Sequence, residues 1–395
     1  MPLTSIAKAF ARPQFDLALG ADGRVLVLSM RQAADLVGYC ALYEFEGIVS
    51  DLTGADVAKL LGEEIDVPSR LSKLALGLRG RSNGRTGSAG SLRDRYELFL
   101  PMFNHPYELL ALNAIDRWRE RSRVAACYIV EAWSGRLPPY LAEALKGFDH
   151  VFIGVKGTVD EIARISGRPC SYLPMGVDAL RFCPHPNPVP RTIDVCGIGR
   201  RSPVTHAALL AEGRRDRNFF YYYDSIQTAP SRGATRSITF RVSDPAEHRV
   251  LLGNLLRRSR YFIANRAWVD NSAMLKGRDE IAARFYEGAA AGAVMIGEPP
   301  DSPQFREEFG WPEPVIPIPF EAPDIAAILA QLDADPKRLA RIRTDNVVHA
   351  LQQHDWVYRF RPILEFAGIA PPDRLLAREA RLQELANEVR RVGVA

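Results

Sequence analysis

From residue 96 onwards, short apolar runs alternate with longer segments in which apolar residues recur every three or four positions. The short runs are typical of buried strands, and the longer periodicity is typical of amphipathic helices. The pattern predicts strands over 96–103, 124–130, 150–155 and 171–174, with helices over 107–121, 138–146 and 158–165. Strand and helix repeats of this kind indicate the α/β class, in which helices cover a parallel sheet.

The pattern before residue 96 is weaker. It predicts strands over 24–29 and near 47–50, followed by a helix over 54–61. Between Arg79 and Arg95 the chain is rich in Gly, Ser and Arg and has no periodicity, which predicts a loop. Two interpretations of this loop stay open, a basic lid over an anionic ligand and a solvated connection.

Four prolines lie within Cys183–Arg191, and they predict a stiff linker between domains because proline fixes the backbone and lacks an N–H donor. The alternation restarts after this linker. It predicts strands over 192–197, 219–223, 261–265 and 293–296, and helices over 203–212, 245–258, 279–291, 324–332, 336–353 and 356–366. The sequence therefore predicts two α/β domains, over 1–184 and 185–368.

A terminal amphipathic helix is predicted within 369–395, because Pro371 and Pro372 separate the segment 373–392 from the preceding helices. Its apolar stripe consists of Leu375, Leu382, Leu385 and Val389. This spacing is compatible with a packing helix or with self-association through the helix.

Composition places the chain among folded globular proteins, since 47% of its 395 residues are hydrophobic and 25% are charged. A net charge of +4 is too small to favour nucleic acid as a partner. The five cysteines never form a Cys-x-x-Cys pair, and the seven histidines are dispersed, so we expect no metal. The sequence predicts neither a leader peptide nor a membrane span. We expect a cytoplasmic protein, with peripheral contact to the inner membrane face left open.

The first candidate for chemistry is the segment 197–203, Gly-Ile-Gly-Arg-Arg-Ser-Pro, at the end of a predicted strand. Ser202 is placed to cap the following helix, whose free amides and partial positive charge suit a phosphate. Gly197 and Gly199 let the backbone approach a ligand closely, and Arg200 or Arg201 would pair with phosphate oxygens. The alternatives are an ordinary turn and an NAD site, because Asp224 follows the next strand where a ribose ligand would sit.

The second candidate is Glu287, which is followed by the small residues Gly-Ala-Ala-Ala-Gly over 288–292. No bulky side chain would compete with a ligand approaching this helix turn, so the carboxylate is placed to accept both hydroxyls of a ribose. The alternative is a solvated glutamate or one paired on its N-terminal side.

Together, these segments resemble the sugar-nucleotide signature of the GT-B glycosyltransferases of the group-one type, including their spore-maturation-protein-like branch. The likeness lies in Glu-Gly-Ala-Ala-Ala-Gly-Ala-Val-Met-Ile over 287–296. It continues upstream in 173–184, which is similar to the segment that joins the two domains of that family. The resemblance implies two Rossmann-like domains that face a cleft, with a nucleotide sugar held mainly by the second.

The resemblance also implies roles for individual residues. Glu287, with Gly288 beside it, would bind the donor ribose, and Gly199 with Arg200 would meet the diphosphate. Asp279 would contact the donor sugar, although the family usually has glutamate there. Thr205 and His206 stand where the family commonly has lysine, and Arg201 would substitute for that charge.

On the acceptor side, many members of the family carry a histidine after a strand of the first domain, where this chain has Glu131. Glu131 is therefore the candidate general base, and a structural pairing with Arg136 is the alternative. Trp133 and Tyr140 are placed to stack on a sugar face or to pack in the core.

The resemblance thus implies a metal-independent, hexosyltransferase-type glycosyltransferase that needs no cofactor besides its nucleotide-diphosphate sugar donor. A glycan, a lipid or a small molecule would be the acceptor. Two alternatives stay open: another GT-B nucleotide-sugar enzyme such as an epimerase, and a catalytically silent sugar-nucleotide-binding or coat-assembly protein.

Overall fold

The computed structural model describes residues 14–31, 36–61, 91–134, 136–224 and 242–394. The chain divides into two compact units, and neither is a single stretch of sequence. The first comprises Met1–Asp35, Phe45–Pro174 and Phe360–Arg374, and the second comprises Leu36–Glu44, Met175–Arg359 and Leu375–Ala395. The main division thus follows Pro174, whereas the sequence-based boundary follows residue 184.

The first unit is built on a parallel sheet with one antiparallel edge strand. Its strands are β1 (Gln14–Ala18), β2 (Val25–Ser29), β3 (Asp56–Leu61), β4 (Tyr96–Phe103), β5 (Ser122–Ile129), β6 (His150–Ile153) and β7 (Cys170–Tyr172). Within the described residues they form one sheet in the order β1-β3-β2-β4-β5-β6-β7, in which only β1 pairs antiparallel. Central strands β2 and β4 are apolar and almost wholly buried, as parallel strands covered on both faces require.

Up to residue 174, the first unit contains the helices α1 (Cys40–Thr53), α2 (Pro139–Leu145) and α3 (Val159–Ser166). Cys40–Glu44, at the start of α1, belong to the second unit. Two sequence predictions in this region are wrong, since 47–50 lies within α1 and 54–61 contains β3. Gly54, with φ of 59°, follows α1 in the left-handed conformation, and β3 then alternates between more and less buried residues.

A third prediction, the helix over 107–121, is correct only in part. The structure has a 3-10 helix over Pro106–Ala114, in which His105 accepts a hydrogen bond from the Tyr107 amide, and turns follow it as far as Arg121. The predicted loop over 79–95 lies mostly outside the described residues.

The second unit contains a five-stranded parallel sheet within the described residues. Its strands are β8 (Ile193–Gly197), β9 (Tyr221–Tyr223), β10 (Ser259–Ile263), β11 (Val294–Gly297) and β12 (Ile316–Pro317), in the order β12-β11-β10-β8-β9. Its helices up to residue 353 are α4 (Ala179–Phe182), α5 (Pro203–Arg215), α6 (Pro245–Arg257), α7 (Ser272–Leu275), α8 (Ala283–Ala291), α9 (Pro303–Glu308), α10 (Ile325–Asp333) and α11 (Pro336–Gln353). Each unit thus has the predicted Rossmann-like α/β form, and the fold class is confirmed.

The chain ends in two further helices, α12 (Val357–Ala367) and α13 (Asp373–Val392), close to where the sequence predicts them. Leu375, Leu382, Leu385 and Val389, the predicted apolar stripe of α13, are all buried within the chain itself. The stripe is therefore used in packing the second unit.

Candidate functional site

A tight turn, residues 197–202, connects β8 to α5, and we refer to it as the Gly-Arg turn. Its helix start is as predicted, because the Ser202 side chain accepts a hydrogen bond from the Thr205 amide and Pro203 is the first helical residue. Gly199 has a φ of 79°, a conformation that other residues rarely adopt. The Gly-Arg turn therefore places backbone amides and a helix N-terminus at the carboxyl end of the sheet.

Asp224, directly after β9, holds the Gly-Arg turn in place. Its Oδ2 accepts the Gly199 amide at 2.7 Å, and its Oδ1 accepts a hydrogen bond from Arg201 at 2.8 Å. Both carboxylate oxygens are therefore engaged by the turn. An acidic residue that binds the ribose of NAD must instead offer its oxygens to the two hydroxyls.

The two predicted phosphate-binding arginines lie at this turn, and each is paired with a carboxylate. Arg200 is 2.7 Å from Asp270, and its guanidinium lies 3.8 Å from the centre of the Trp268 ring. Arg201 pairs with Asp224 and lies over the Tyr223 ring at 5.3 Å. An arriving anion would therefore compete with protein carboxylates for both guanidinium groups.

Arg284 is a functional candidate that the sequence analysis missed. It lies in the first turn of α8, and its Nε donates to the carbonyl oxygen of Ile198 at 2.9 Å. Burial lowers the pKa of Arg284, while Glu287 and Asp224 oppose that effect. A signal was present in the sequence: Arg284 is three residues before Glu287, so the two side chains lie on one face of a helix.

Glu287 is 5% exposed and lies in the middle of α8. Arg249, from α6, donates to its Oε1 through one terminal nitrogen, and the other guanidinium nitrogens of Arg249 bind Glu44 at 3.1 Å each. Oε2 of Glu287 makes no hydrogen bond to the described residues. Sequence reasoning missed Arg249 and Glu44 because each is remote from Glu287 along the chain.

Gly288 contributes through its lack of a side chain. A Cβ at this position would lie 2.6 Å from Met295 Sδ and 2.8 Å from the Phe262 ring. Glycine therefore lets α8 approach the strands β10 and β11 closely, which fixes the position of Glu287 over the sheet.

Asp279 precedes α8, because the helix begins at Ala283 and not at 279 as predicted. Its Oδ2 accepts the Asp301 amide at 2.7 Å, and its Oδ1 is 3.6 Å from Arg266 without a hydrogen bond. Arg266 also pairs with Glu298 at 2.8 Å. Asp279 thus lies in a polar network beside the carboxyl end of β11.

In the first unit, Glu131 follows β5, and its amide donates to the carbonyl oxygen of Asn104 at 2.8 Å. Two buried carboxyl groups of this unit were not predicted. Burial raises the pKa of Glu46 to about 7 and that of Glu108 to about 8. Glu46 accepts hydrogen bonds from Ser29 at 2.6 Å and Arg31 at 3.0 Å, and Glu108 accepts the Asn104 amide at 2.7 Å.

Across the part of the chain that the structure describes, no three His, Cys, Asp or Glu side chains form a candidate metal site. Within the same residues, no helix combines the length and the apolarity needed to cross a bilayer.

Comparison with known proteins points to one class. Residues 247–365 match a family model described as glycosyl transferase-like, and this stretch contains Arg249, Arg284 and Glu287. A search of curated proteins by sequence gives no significant match.

Among solved structures, the chain is similar to the Anabaena protein Alr3699/HepE in complex with UDP-glucose. The identity is 11%, the TM-score is 0.50, and the alignment covers 90% of this chain and 100% of that one. A glycosyltransferase from Rickettsia africae is 12% identical over 88% of this chain and 98% of its own, with a TM-score of 0.46. At these identities, the likeness to the Anabaena protein establishes the fold class alone.

A mutant of TarM from S. aureus, in complex with Fondaparinux, alpha-GlcNAc-glycerol and UDP, is also similar. It is 11% identical over 68% of this chain, with a TM-score of 0.41, and the chain spans 55% of its length.

Proposed function

We propose that the protein is a glycosyltransferase that transfers a hexose from a nucleotide-diphosphate donor, and that the second unit binds this donor. The observation that carries the proposal is the placement of Arg284 and Glu287 on one helix, with Arg284 hydrogen-bonded to the Gly-Arg turn. Both residues lie in the stretch that matches the glycosyl transferase-like family model.

The diphosphate, in this proposal, binds at the Gly-Arg turn. Amides at the start of α5 donate to its oxygens, and the helix dipole and Arg284 supply positive charge. As the bond from the sugar to the diphosphate breaks, negative charge grows on the leaving oxygen. Groups that are already oriented towards that charge stabilise the transition state more than the ground state. Arg200 and Arg201 add charge when they exchange their carboxylate partners for the diphosphate.

Glu287 accepts a hydrogen bond from the donor ribose, which sets the distance between the nucleoside and the diphosphate. Asp279 contacts the transferred sugar, since it lies at the carboxyl end of β11 and its Oδ1 makes no hydrogen bond. Glu131 is the proposed base on the acceptor side, where a glycan, a lipid or a small molecule supplies the attacking hydroxyl. Arginine and amide donors take the place of a divalent ion, so the reaction is proposed to be metal-independent.

The proposal is tested by thermal stabilisation with UDP, GDP, ADP, dTDP, NAD and NADP in the presence of EDTA. A ligand that binds only the folded protein raises its Tm. Since the Anabaena protein was crystallised with UDP-glucose, UDP and UDP-glucose are the first ligands to test. Glu287→Ala should abolish the stabilisation.

Glu313→Gln is the matched control, because Glu313 pairs with Arg338 and Arg341 elsewhere in the same unit. This variant should respond to nucleotide like the wild type. Stabilisation by NAD alone would overturn the proposal. Donor turnover that needs no acceptor would indicate an epimerase-type enzyme, and binding without turnover would indicate a silent sugar-nucleotide-binding protein.

A further inference from the structure

Three charged side chains, Glu44, Arg249 and Glu287, form a buried cluster in the second unit, which we name the ion triad. Their side chains are 2%, 3% and 7% exposed, respectively. They come from three helices, α1, α6 and α8. Glu44 lies in the segment Leu36–Glu44, which is far upstream in the sequence but belongs to this unit.

Every nitrogen of the Arg249 guanidinium is used in the ion triad. Nε and one terminal nitrogen bind the two oxygens of Glu44, and the other terminal nitrogen binds Oε1 of Glu287. A guanidinium is planar and presents its donors at fixed angles. Bidentate pairing with Glu44 therefore fixes the direction in which the remaining nitrogen points.

Glu44 is itself held from two further sides. Its Oε2 accepts the Asp178 amide at 2.9 Å and the indole N–H of Trp356 at 3.0 Å. The Arg249 guanidinium also lies 4.8 Å from the centre of the Phe182 ring. These contacts make Glu44 the fixed end of the ion triad, and Glu287 the end that can meet a ligand.

The charges of the ion triad support one another. Burial opposes the charge of Arg249, but Glu44 and Glu287 together raise its pKa above the ordinary value. Arg249 is therefore a cation at every physiological pH. A buried charge is tolerated when it is paired and hydrogen-bonded, and Arg249 supplies such a partner to both carboxylates of the ion triad.

We propose that Arg249 is a positioning residue of the donor site, which holds Glu287 through Oε1 and thereby directs Oε2 at one ribose hydroxyl. The inference rests on the proposed function, because it assumes that Glu287 meets the donor ribose. It differs from the expectation drawn from the sequence, in which Glu287 accepts both hydroxyls. It follows from the geometry, since Oε2 is the oxygen without a hydrogen bond to the described residues.

The positioning role of Arg249 is tested by comparing the affinities of nucleotides that lack one ribose hydroxyl. Affinities are measured by calorimetry for UDP, 2′-deoxy-UDP and 3′-deoxy-UDP, with the GDP and ADP series in parallel. In the wild type, one deoxy analogue of the bound series should bind about 10- to 100-fold more weakly than its parent, the range expected when a hydrogen bond to a charged group is lost. The other analogue should bind within about threefold of the parent, since its missing hydroxyl does not meet Glu287.

Variants of Arg249 distinguish a role in positioning Glu287 from a role in folding. Arg249→Met should reduce the difference between the two analogues to less than about threefold, because Oε2 is no longer directed at one hydroxyl. Arg249→Lys, which keeps the charge but not the planar fork, should restore part of the difference and provides a second variant if Arg249→Met does not fold. Arg191→Met is the control, since Arg191 donates to the backbone carbonyls of Arg257 and Ser259 and should leave the difference unchanged.

The outcomes are distinct. If the two deoxy analogues bind the wild type equally weakly relative to their parent, recognition of a single hydroxyl is overturned. A full difference retained in Arg249→Met would overturn the positioning role. Failure of UDP, GDP, ADP and dTDP alike to bind the wild type, or a full difference retained in Glu287→Gln, would overturn the proposed function itself and the inference with it.

Discussion

Arg284 lies against Gly199 so closely that a Cβ on Gly199 would be 1.7 Å from a terminal nitrogen of the guanidinium. The contact joins the start of α8 to the Gly-Arg turn. It places a cationic side chain beside the backbone amides that are proposed to bind the diphosphate. Position 199 therefore requires glycine for two reasons: its φ is positive, and Arg284 fills the space that a side chain would take.

Gly199→Ala should displace Arg284 and weaken nucleotide binding. The substitution combines a disfavoured φ with a steric overlap, and we expect a loss of about 1–3 kcal/mol in stability. Gly277→Ala is the matched control, because Gly277 has a φ of 80° but a Cβ on it would meet nothing within 4 Å. Melting curves with and without UDP check this: an unchanged UDP response in Gly199→Ala would contradict the role of the contact.

Asp270→Asn should strengthen donor binding. Arg200 is proposed to leave Asp270 when the diphosphate binds, so weakening that pair removes a competitor. Partly exposed ion pairs contribute little free energy of stabilisation, so we expect the affinity for the donor to rise by only about two- to fivefold. Titration of UDP-glucose at low and high salt measures it. Unchanged affinity would show that Arg200 stays with Asp270 in the bound state.

Glu108→Gln should change how stability depends on pH. Burial raises the pKa of Glu108 to about 8, so the folded state keeps the carboxyl proton up to about that pH. The unfolded state already releases this proton near the ordinary glutamate pKa of 4.5. The wild type therefore loses stability as the pH rises from about 4.5 to 8. Glutamine cannot ionise, so the variant should be more stable than the wild type at pH 8.5, by about 1–3 kcal/mol.

Urea unfolding between pH 5 and 9 tests this prediction. Glu97→Gln is the control, because Glu97 is partly exposed and its hydrogen bond with Arg24 lowers its pKa. Its contribution to stability therefore falls only below about pH 4.5 and is constant between pH 5 and 9. Parallel pH profiles for the wild type and Glu108→Gln would contradict the assignment of a buried, protonated Glu108.

The parts of the site that the sequence predicted are those encoded by local pattern. Strand β8 with the cap at Ser202 is one short segment, and Glu287 with its following small residues is another, so the arrangement within each follows from turn and helix geometry. The parallel strands other than β3 and β12 were predictable for the same reason, since apolar runs mark them directly.

Tertiary contacts account for what the sequence did not predict. Glu44 and Arg249 are 205 positions apart, and nothing in the sequence of either segment indicates that they meet. The pairing of Arg200 with Asp270 is non-local in the same way. The error over 54–61 has both kinds of cause. Gly54 is a local helix-ending signal, but the period of two in β3 is a pattern of burial and not of sequence, because its buried side includes Asp56.

Release of nucleoside diphosphate from sugar nucleotides, measured in EDTA with and without candidate acceptors, tests the central claim most directly. We predict that the wild type releases UDP from UDP-glucose, or the corresponding nucleoside diphosphate from another sugar nucleotide, without metal and in the presence of an acceptor. Glu287→Ala and Arg284→Met should each reduce the rate by about 100-fold or more. Glu313→Gln should retain the wild-type rate. Turnover in Glu287→Ala and Arg284→Met at the wild-type rate would contradict the account.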